Sequence, residues 1–135
     1  MKRIGLHGKF GALATTTLSL WSVSAVGAQA ECDLERGKIL FNKCAICHSV
    51  EENAQPTVGP NLFGVVNRPV GRFEDFFYSN AIKAYADSWT KDTLDQFLKS
   101  PMTEVPGTDM AFAGFKKPAD RKNLICYLAQ FTGKL

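Results

Sequence analysis

The chain is poor in histidine and, beyond its first thirty residues, has no excess of either charge. Its 135 residues include two histidines, His7 and His48. Three of its sixteen lysines and arginines, and none of its thirteen acidic residues, precede residue 31, so the remainder is formally neutral. A nucleic-acid-binding protein needs basic residues clustered on one face. We therefore expect no nucleic-acid partner.

A long uninterrupted apolar run is also missing. The moderately apolar stretch that ends near Val26 is short for a membrane span and is diluted by threonines and serines. Basic residues precede it, and Ala28 and Ala30 follow it, which is the arrangement of a secretory signal peptide. We predict that residues 1–30 are cleaved after Ala30 and that the mature domain, residues 31–135, is exported to the periplasm without membrane insertion. A retained membrane anchor is the alternative.

Residues 31–135 show little of the apolar–polar alternation that marks strands. Apolar residues recur instead at helical spacing. The candidate helices run from a cap at Asp33 to about Lys43, around Ser79–Tyr85, from a cap at Thr90 to a limit at Pro101, and from Pro118 to an end at Gly133. We predict an all-α, small single-domain fold of three to five helices, with two long loops that need something to pack against.

The strongest motif is Cys44-Ala45-Ile46-Cys47-His48. Cys-x-x-Cys-His is the attachment motif of c-type haem. Two thiols three positions apart can each bond one vinyl group of a porphyrin edge, and the imidazole that follows can reach the iron. The motif predicts one haem attached through Cys44 and Cys47, with His48 as an iron ligand.

Three other uses of the motif are open. A thioredoxin-like dithiol needs Cys-x-x-Cys after a strand in a βαβ unit, a pattern that the sequence lacks. A zinc site needs a fourth ligand beside Cys44, Cys47 and His48, and the remaining cysteines are irregularly spaced. A simple Cys44–Cys47 disulfide is conceivable in an exported protein.

The scarcity of histidine limits the second iron ligand. Without residues 1–30 the chain has one histidine, so the ligand is a methionine, a lysine amine, a small ligand or none. Met102 and Met110 are the remaining methionines, and each offers a thioether. Met110 follows the turn-forming run Pro106-Gly107-Thr108-Asp109 and is favoured. Met102 follows a helix end and could equally be a core residue.

The haem motif is one of a series of short motifs in fixed order. The series is Cys44-x-x-Cys47-His48, Gly59-Pro60-Asn61-Leu62, Arg68, Tyr78, Trp89, Thr93-Leu94, Pro106-Gly107-Thr108-x-Met110, Phe112-Ala113-Gly114 and Leu124-Ile125-x-Tyr127-Leu128. In this order and spacing, residues 31–135 resemble the class I cytochromes c, namely the mitochondrial type and its short bacterial relatives. The resemblance implies a soluble, monomeric electron carrier and not an enzyme. Such a carrier passes single electrons between a donor and an acceptor redox protein in transient complexes.

The resemblance also implies roles for residues around the haem. His48 and Met110 would be the axial iron ligands, and the Pro60 carbonyl would accept the other ring N–H of His48. Thr108 would border the haem near Met110. Phe112 would lie beside the exposed haem edge.

Two further sets of residues take roles from the resemblance. Arg68, Tyr78 and Trp89 would surround a buried haem propionate and satisfy its charge. The first and last helices would cross, which brings Cys32 towards Cys126, and we predict a disulfide between them in an oxidising compartment. The alternative is a small buried Cys126 with Cys32 as a free thiol or a dimer link.

The chain departs from the family near the expected haem. Phe97 stands where a tyrosine is common, and Ile82 replaces an asparagine that helps to order an internal water. Met102, Thr103 and Asp109 occupy positions where mitochondrial forms have lysines. We expect weaker electrostatic steering of acidic partners than in those forms.

Two other functions are open. A small peroxidase or a gas sensor needs an open or readily displaced sixth position and a distal acid–base group, and His48 is already assigned to the iron. A subunit or anchored domain of a larger oxidoreductase would retain its N-terminal segment or purify with its partners.

Overall fold

The structure, a computed structural model, describes residues 31–132, and the predicted signal peptide lies outside that range. Within it the chain forms five helices and no strand, so the predicted all-α fold is confirmed. The helices are α1 (Leu34–Phe41), α2 (Asn80–Lys83), α3 (Lys91–Lys99), α4 (Pro101–Glu104) and α5 (Pro118–Leu128). None of them is long and apolar enough to cross a membrane.

Three helices begin at side-chain caps, of which the sequence indicated those at Asp33 and Thr90. The Asp33 carboxylate accepts the Arg36 amide at 2.8 Å, and the Thr90 hydroxyl accepts the Thr93 amide at 3.1 Å. Ser79 caps α2 in the same way. Each cap satisfies an amide of the first helical turn that has no partner within the helix.

The predicted limit of the third helix at Pro101 is confirmed, and the predicted end of the last helix at Gly133 is wrong. Pro101 ends α3 as expected but also begins α4, because a proline suits the first turn, where its missing N–H is not needed. Helix α5 ends at Leu128, well before Gly133. The Phe131 carbonyl accepts the Gly64 amide at 2.6 Å. Phe131 therefore contacts the loop formed by residues 42–79 instead of continuing the helix.

Helices α1 and α5 cross closely at Gly37. A Cβ atom at this position would lie 2.7 Å from Tyr127 Cβ and would collide with the Asn123 carbonyl oxygen. The Cys32–Cys126 disulfide joins the same two segments, with the Cα atoms 6.1 Å apart, as predicted. Two long loops, residues 42–79 and 105–117, connect to the crossed helices: the first follows α1, and the second precedes α5.

Candidate functional site

A cavity of about 290 Å³ is lined by both long loops and by residues of α3 and α5. Its walls are mostly apolar and include Leu94, Leu98 and Leu124. All ten residues assigned to the site from the sequence line it: Cys44, Cys47, His48, Pro60, Arg68, Tyr78, Trp89, Thr108, Met110 and Phe112. Residues spread over most of the domain therefore converge on one apolar space, although their roles towards a haem stay predictions.

The two thiols of the motif lie in a series of turns that follows α1. The Cys44 amide donates to Phe41 at 2.7 Å, and the His48 amide donates to Cys44 at 2.9 Å. Neither Cys44 nor Cys47 is in a disulfide. Burial, with the nearby Cys47, raises the pKa of the Cys44 thiol to about 11. Reactive dithiols depend on a lowered thiol pKa, so this environment disfavours a thioredoxin-like site.

A zinc site also lacks support in the described part of the chain. Residues 31–132 contain no group of three or more His, Cys, Asp or Glu side chains placed to hold a metal ion. Structural zinc needs four such ligands.

The His48 ring is held in one orientation and, when neutral, in one tautomer. Its Nδ1 lies 2.7 Å from the Pro60 carbonyl oxygen, so Nδ1–H donates and Nε2 of the neutral ring keeps its lone pair. Burial lowers the pKa of His48; the Pro60 carbonyl opposes this shift, and the charge of Arg68 adds to it. A neutral imidazole with a hydrogen-bonded Nδ1 is the form in which histidine ligates metals.

Gly59 lets the loop pass directly against this ring. A Cβ atom there would collide with the imidazole carbons and nitrogens of His48. The Gly59 amide donates to the Cys47 carbonyl at 2.8 Å, and the Thr57 hydroxyl donates to the same oxygen at 2.7 Å. Gly59 thus lets the loop lie against the His48 ring, and Pro60 supplies the carbonyl oxygen that accepts the Nδ1–H of that ring.

Arg68 carries a buried donor without an acceptor. Its terminal nitrogens donate to the Asn61 and Phe63 carbonyls, both at 2.9 Å. Its Nε has no hydrogen-bond partner and is the one such buried side-chain nitrogen or oxygen in residues 31–132. A buried donor left unpaired is costly, so an acceptor in the adjoining cavity would stabilise this side chain. Burial also lowers the pKa of Arg68, and an anion would offset that effect.

The structure separates the two methionines. Met110 is half-buried and lines the cavity, and its amide donates to the Thr108 hydroxyl at 3.3 Å. Met102 lies on α4, is 61% exposed and is not among the cavity residues. The possibility that Met102 belongs to the core is therefore wrong.

The sequence analysis did not identify Arg121, which joins the loop 105–117 to α3 and α5. Its side chain is buried and makes a two-pronged ion pair with Asp95 at 2.8 and 3.0 Å. It also donates to the carbonyls of Phe115 and Lys116. These bonds fasten the end of the loop that carries Met110, residues 105–117 (the Met110 loop), to α3 and α5. The available signal was its spacing, because positions 121, 124, 125 and 128 form one helical stripe.

Comparison with known proteins identifies relatives over the described domain. Residues 34–132 match the family model described as cytochrome c. The chain is 44% identical over 99 residues to cytochrome c-550 of Nitrobacter winogradskyi, which covers 73% of this chain and 91% of the relative. It is 41% identical over 115 residues to cytochrome c2 of Rhodomicrobium vannielii, covering 85% and 90%. The solved structure of cytochrome cH from Methylobacterium extorquens superposes with a TM-score of 0.67 at 34% identity, covering 73% of this chain and 98% of that one.

Proposed function

This chain belongs to the cytochrome c family, and from that premise we propose that it is a soluble, exported carrier whose haem occupies the cavity lined by Cys44, His48 and Met110. As a family member it carries electrons through a covalently bound c-type haem. The observation that supports the placement is the convergence of all ten assigned residues on one apolar cavity.

The side chains of the cavity fit a haem. Free thiols at Cys44 and Cys47 can form the two thioethers, since both line the cavity and neither is oxidised. His48 would supply Nε2 to the iron, and Met110 would supply a thioether sulfur. The apolar walls would exclude water from the ring.

The unpaired Arg68 Nε supports a propionate position. A carboxylate in the cavity would accept this donor, as a charge-assisted hydrogen bond. Tyr78 is buried and lines the same cavity, and so does Trp89. We therefore assign these three residues to the buried end of the haem.

The protein tunes and protects a one-electron centre. The haem supplies an iron that cycles between Fe(II) and Fe(III). The Pro60 carbonyl orients His48 and raises its basicity. A thioether from Met110 would favour the ferrous state and raise the potential relative to two histidines. Arg121 holds the end of the Met110 loop in place, which limits movement between oxidation states.

The partners are a donor and an acceptor redox protein that dock transiently on a monomer. Lys43 and Asp109 are both exposed, line the cavity and have opposite charge. Ile46 and Val58 are also strongly exposed. Transient redox complexes have small interfaces, which suit rapid dissociation. We further propose that residues 1–30 direct export to the periplasm and are removed after Ala30.

The ligand set is tested with a matched pair of variants, Met110→Ala and Met102→Ala, in the purified holoprotein. The ferric protein should show the weak near-infrared band of an iron–thioether bond, and the ferrous protein should not bind carbon monoxide. Met110→Ala should lose the band and admit carbon monoxide, while Met102→Ala should behave as wild type. Carbon monoxide binding by the wild-type protein would contradict the carrier assignment and favour an enzyme or sensor.

A further inference from the structure

The hydroxyl of Tyr85 links two distant segments beside the cavity. Tyr85 Oη lies 3.2 Å from Glu104 Oε1 and 3.4 Å from the Thr93 carbonyl oxygen. Its ring packs against Trp89 and Phe97, with centroids 5.7 and 6.0 Å away. Because both neighbours line the cavity, the cavity wall fixes the position of this hydroxyl.

Glu104 is the last residue of α4, the short helix that leads to Met110. Among the helices of residues 31–132, α4 packs against α3 alone. A four-residue helix is marginal without tertiary support. The contact with Tyr85 therefore supplies α4 with an anchor that does not come from α3.

A continuous series of hydrogen bonds runs from α4 to the methionine. The Val105 amide donates to Pro101 at 2.9 Å, and the Thr108 amide donates to Val105 at 3.0 Å. The Met110 amide then donates to the Thr108 hydroxyl at 3.3 Å. Val105 is buried, so a displacement at the end of α4 would be transmitted to the turn that presents Met110.

We propose that Tyr85 is a positioning residue, which anchors α4 through Glu104 and so keeps the Met110 sulfur in place against competing ligands. This proposal rests on the ligation of iron by Met110 proposed above. Burial, followed by the Glu104 carboxylate, raises the pKa of Tyr85 to about 12. The hydroxyl therefore remains a donor at neutral pH.

The test measures the affinity of imidazole for the ferric holoprotein, because imidazole competes with the methionine for iron. Tyr85→Phe keeps the ring packing and removes the donor, whereas Glu104→Ala removes the acceptor. Each should tighten imidazole binding roughly twofold to tenfold, the value of one hydrogen bond. Glu104→Gln keeps an acceptor oxygen and should remain close to wild type.

A double variant and a control distinguish a positioning role of Tyr85 from a general loss of protein stability. Tyr85→Phe combined with Glu104→Ala should tighten imidazole binding no more than either single change, since both break one interaction. Tyr127→Phe removes a hydroxyl from α5, which does not pack on α4, and should have no effect.

Three results would overturn the inference. Wild-type imidazole affinity in Tyr85→Phe, with the iron–thioether band present, would exclude a role for Tyr85 while leaving the function intact. Additive effects in the double variant would show that Tyr85 and Glu104 act independently. Absence of the band from the wild-type protein would instead refute ligation by Met110 itself, and this inference with it.

Discussion

The Nδ1 atom of His48 lies 2.7 Å from the carbonyl oxygen of Pro60, twelve residues further along the chain. This contact exists because Gly59 has no side chain to separate the loop from the imidazole. The contact determines which nitrogen of the neutral ring keeps its lone pair, and so which nitrogen can ligate a metal.

Gly59→Ala should prevent formation of the holoprotein. The added methyl group would collide with the His48 ring, which would have to leave its position. We expect little or no haem-containing protein, measured as haem absorbance per mole of polypeptide. Gly64→Ala is the control, because no atom lies within 4 Å of the added Cβ despite a positive φ of 65°. That change should lower the free energy of unfolding by about 1–2 kcal/mol and retain the haem. Equal haem content in both variants would contradict the steric argument.

Phe97→Tyr should raise the midpoint potential. Phe97 is buried and lines the cavity, so the new hydroxyl would enter the surroundings of the iron. A donor to the Met110 sulfur would reduce the electron density that the thioether gives to iron and favour the ferrous state. One hydrogen bond of about 0.5–1.5 kcal/mol corresponds to roughly 20–65 mV for one electron. Phe131→Tyr, outside the cavity, should leave the potential unchanged; an unshifted potential in Phe97→Tyr would refute the prediction.

Replacing Cys32 and Cys126 together by serine should destabilise the fold without changing the haem spectrum. The disulfide joins residues 94 positions apart, and a crosslink of that span restricts the unfolded chain strongly. The free energy of unfolding should fall by about 2–5 kcal/mol in denaturant titrations. Thiol titration of the denatured wild-type holoprotein should find no free thiol. Two free thiols would exclude the disulfide.

Electron transfer to a partner should depend weakly on salt. Lys43 and Asp109 are the exposed charged residues that line the cavity, and their charges oppose each other. Raising ionic strength from about 0.01 to 0.15 M shortens the screening length from roughly 30 to 8 Å. The bimolecular rate should change little over this range. Asp109→Lys adds positive charge at the exposed edge of the cavity. It should make the rate with an acidic partner depend more steeply on ionic strength. A steep dependence in the wild-type protein would contradict this account.

Local chemistry made much of the fold predictable. The caps at Asp33 and Thr90 act within three residues, so the starts of two helices could be predicted directly from the sequence. Likewise, the family motifs predicted that the residues of the cavity lie close together.

The features that escaped prediction depend on contacts between distant segments. Helix α5 ends early where Phe131 binds the Gly64 amide. Arg121 is buried because Asp95 and two loop carbonyls satisfy its guanidinium. Gly64 and Asp95 lie far from Phe131 and Arg121 in sequence, so the helical spacing that places Arg121 on a buried stripe does not identify its partner. The hydrogen bond between Tyr85 and Glu104 could not be predicted for the same reason, because the two residues are 19 positions apart.

The central claim is one haem bonded to Cys44 and Cys47, and the mass of the purified denatured protein tests it most directly. The protein should be produced in a host able to attach haem. The account predicts a coloured polypeptide of residues 31–135 whose mass exceeds that of the chain by one haem, even after denaturation. A colourless protein with the mass of the polypeptide alone would contradict it.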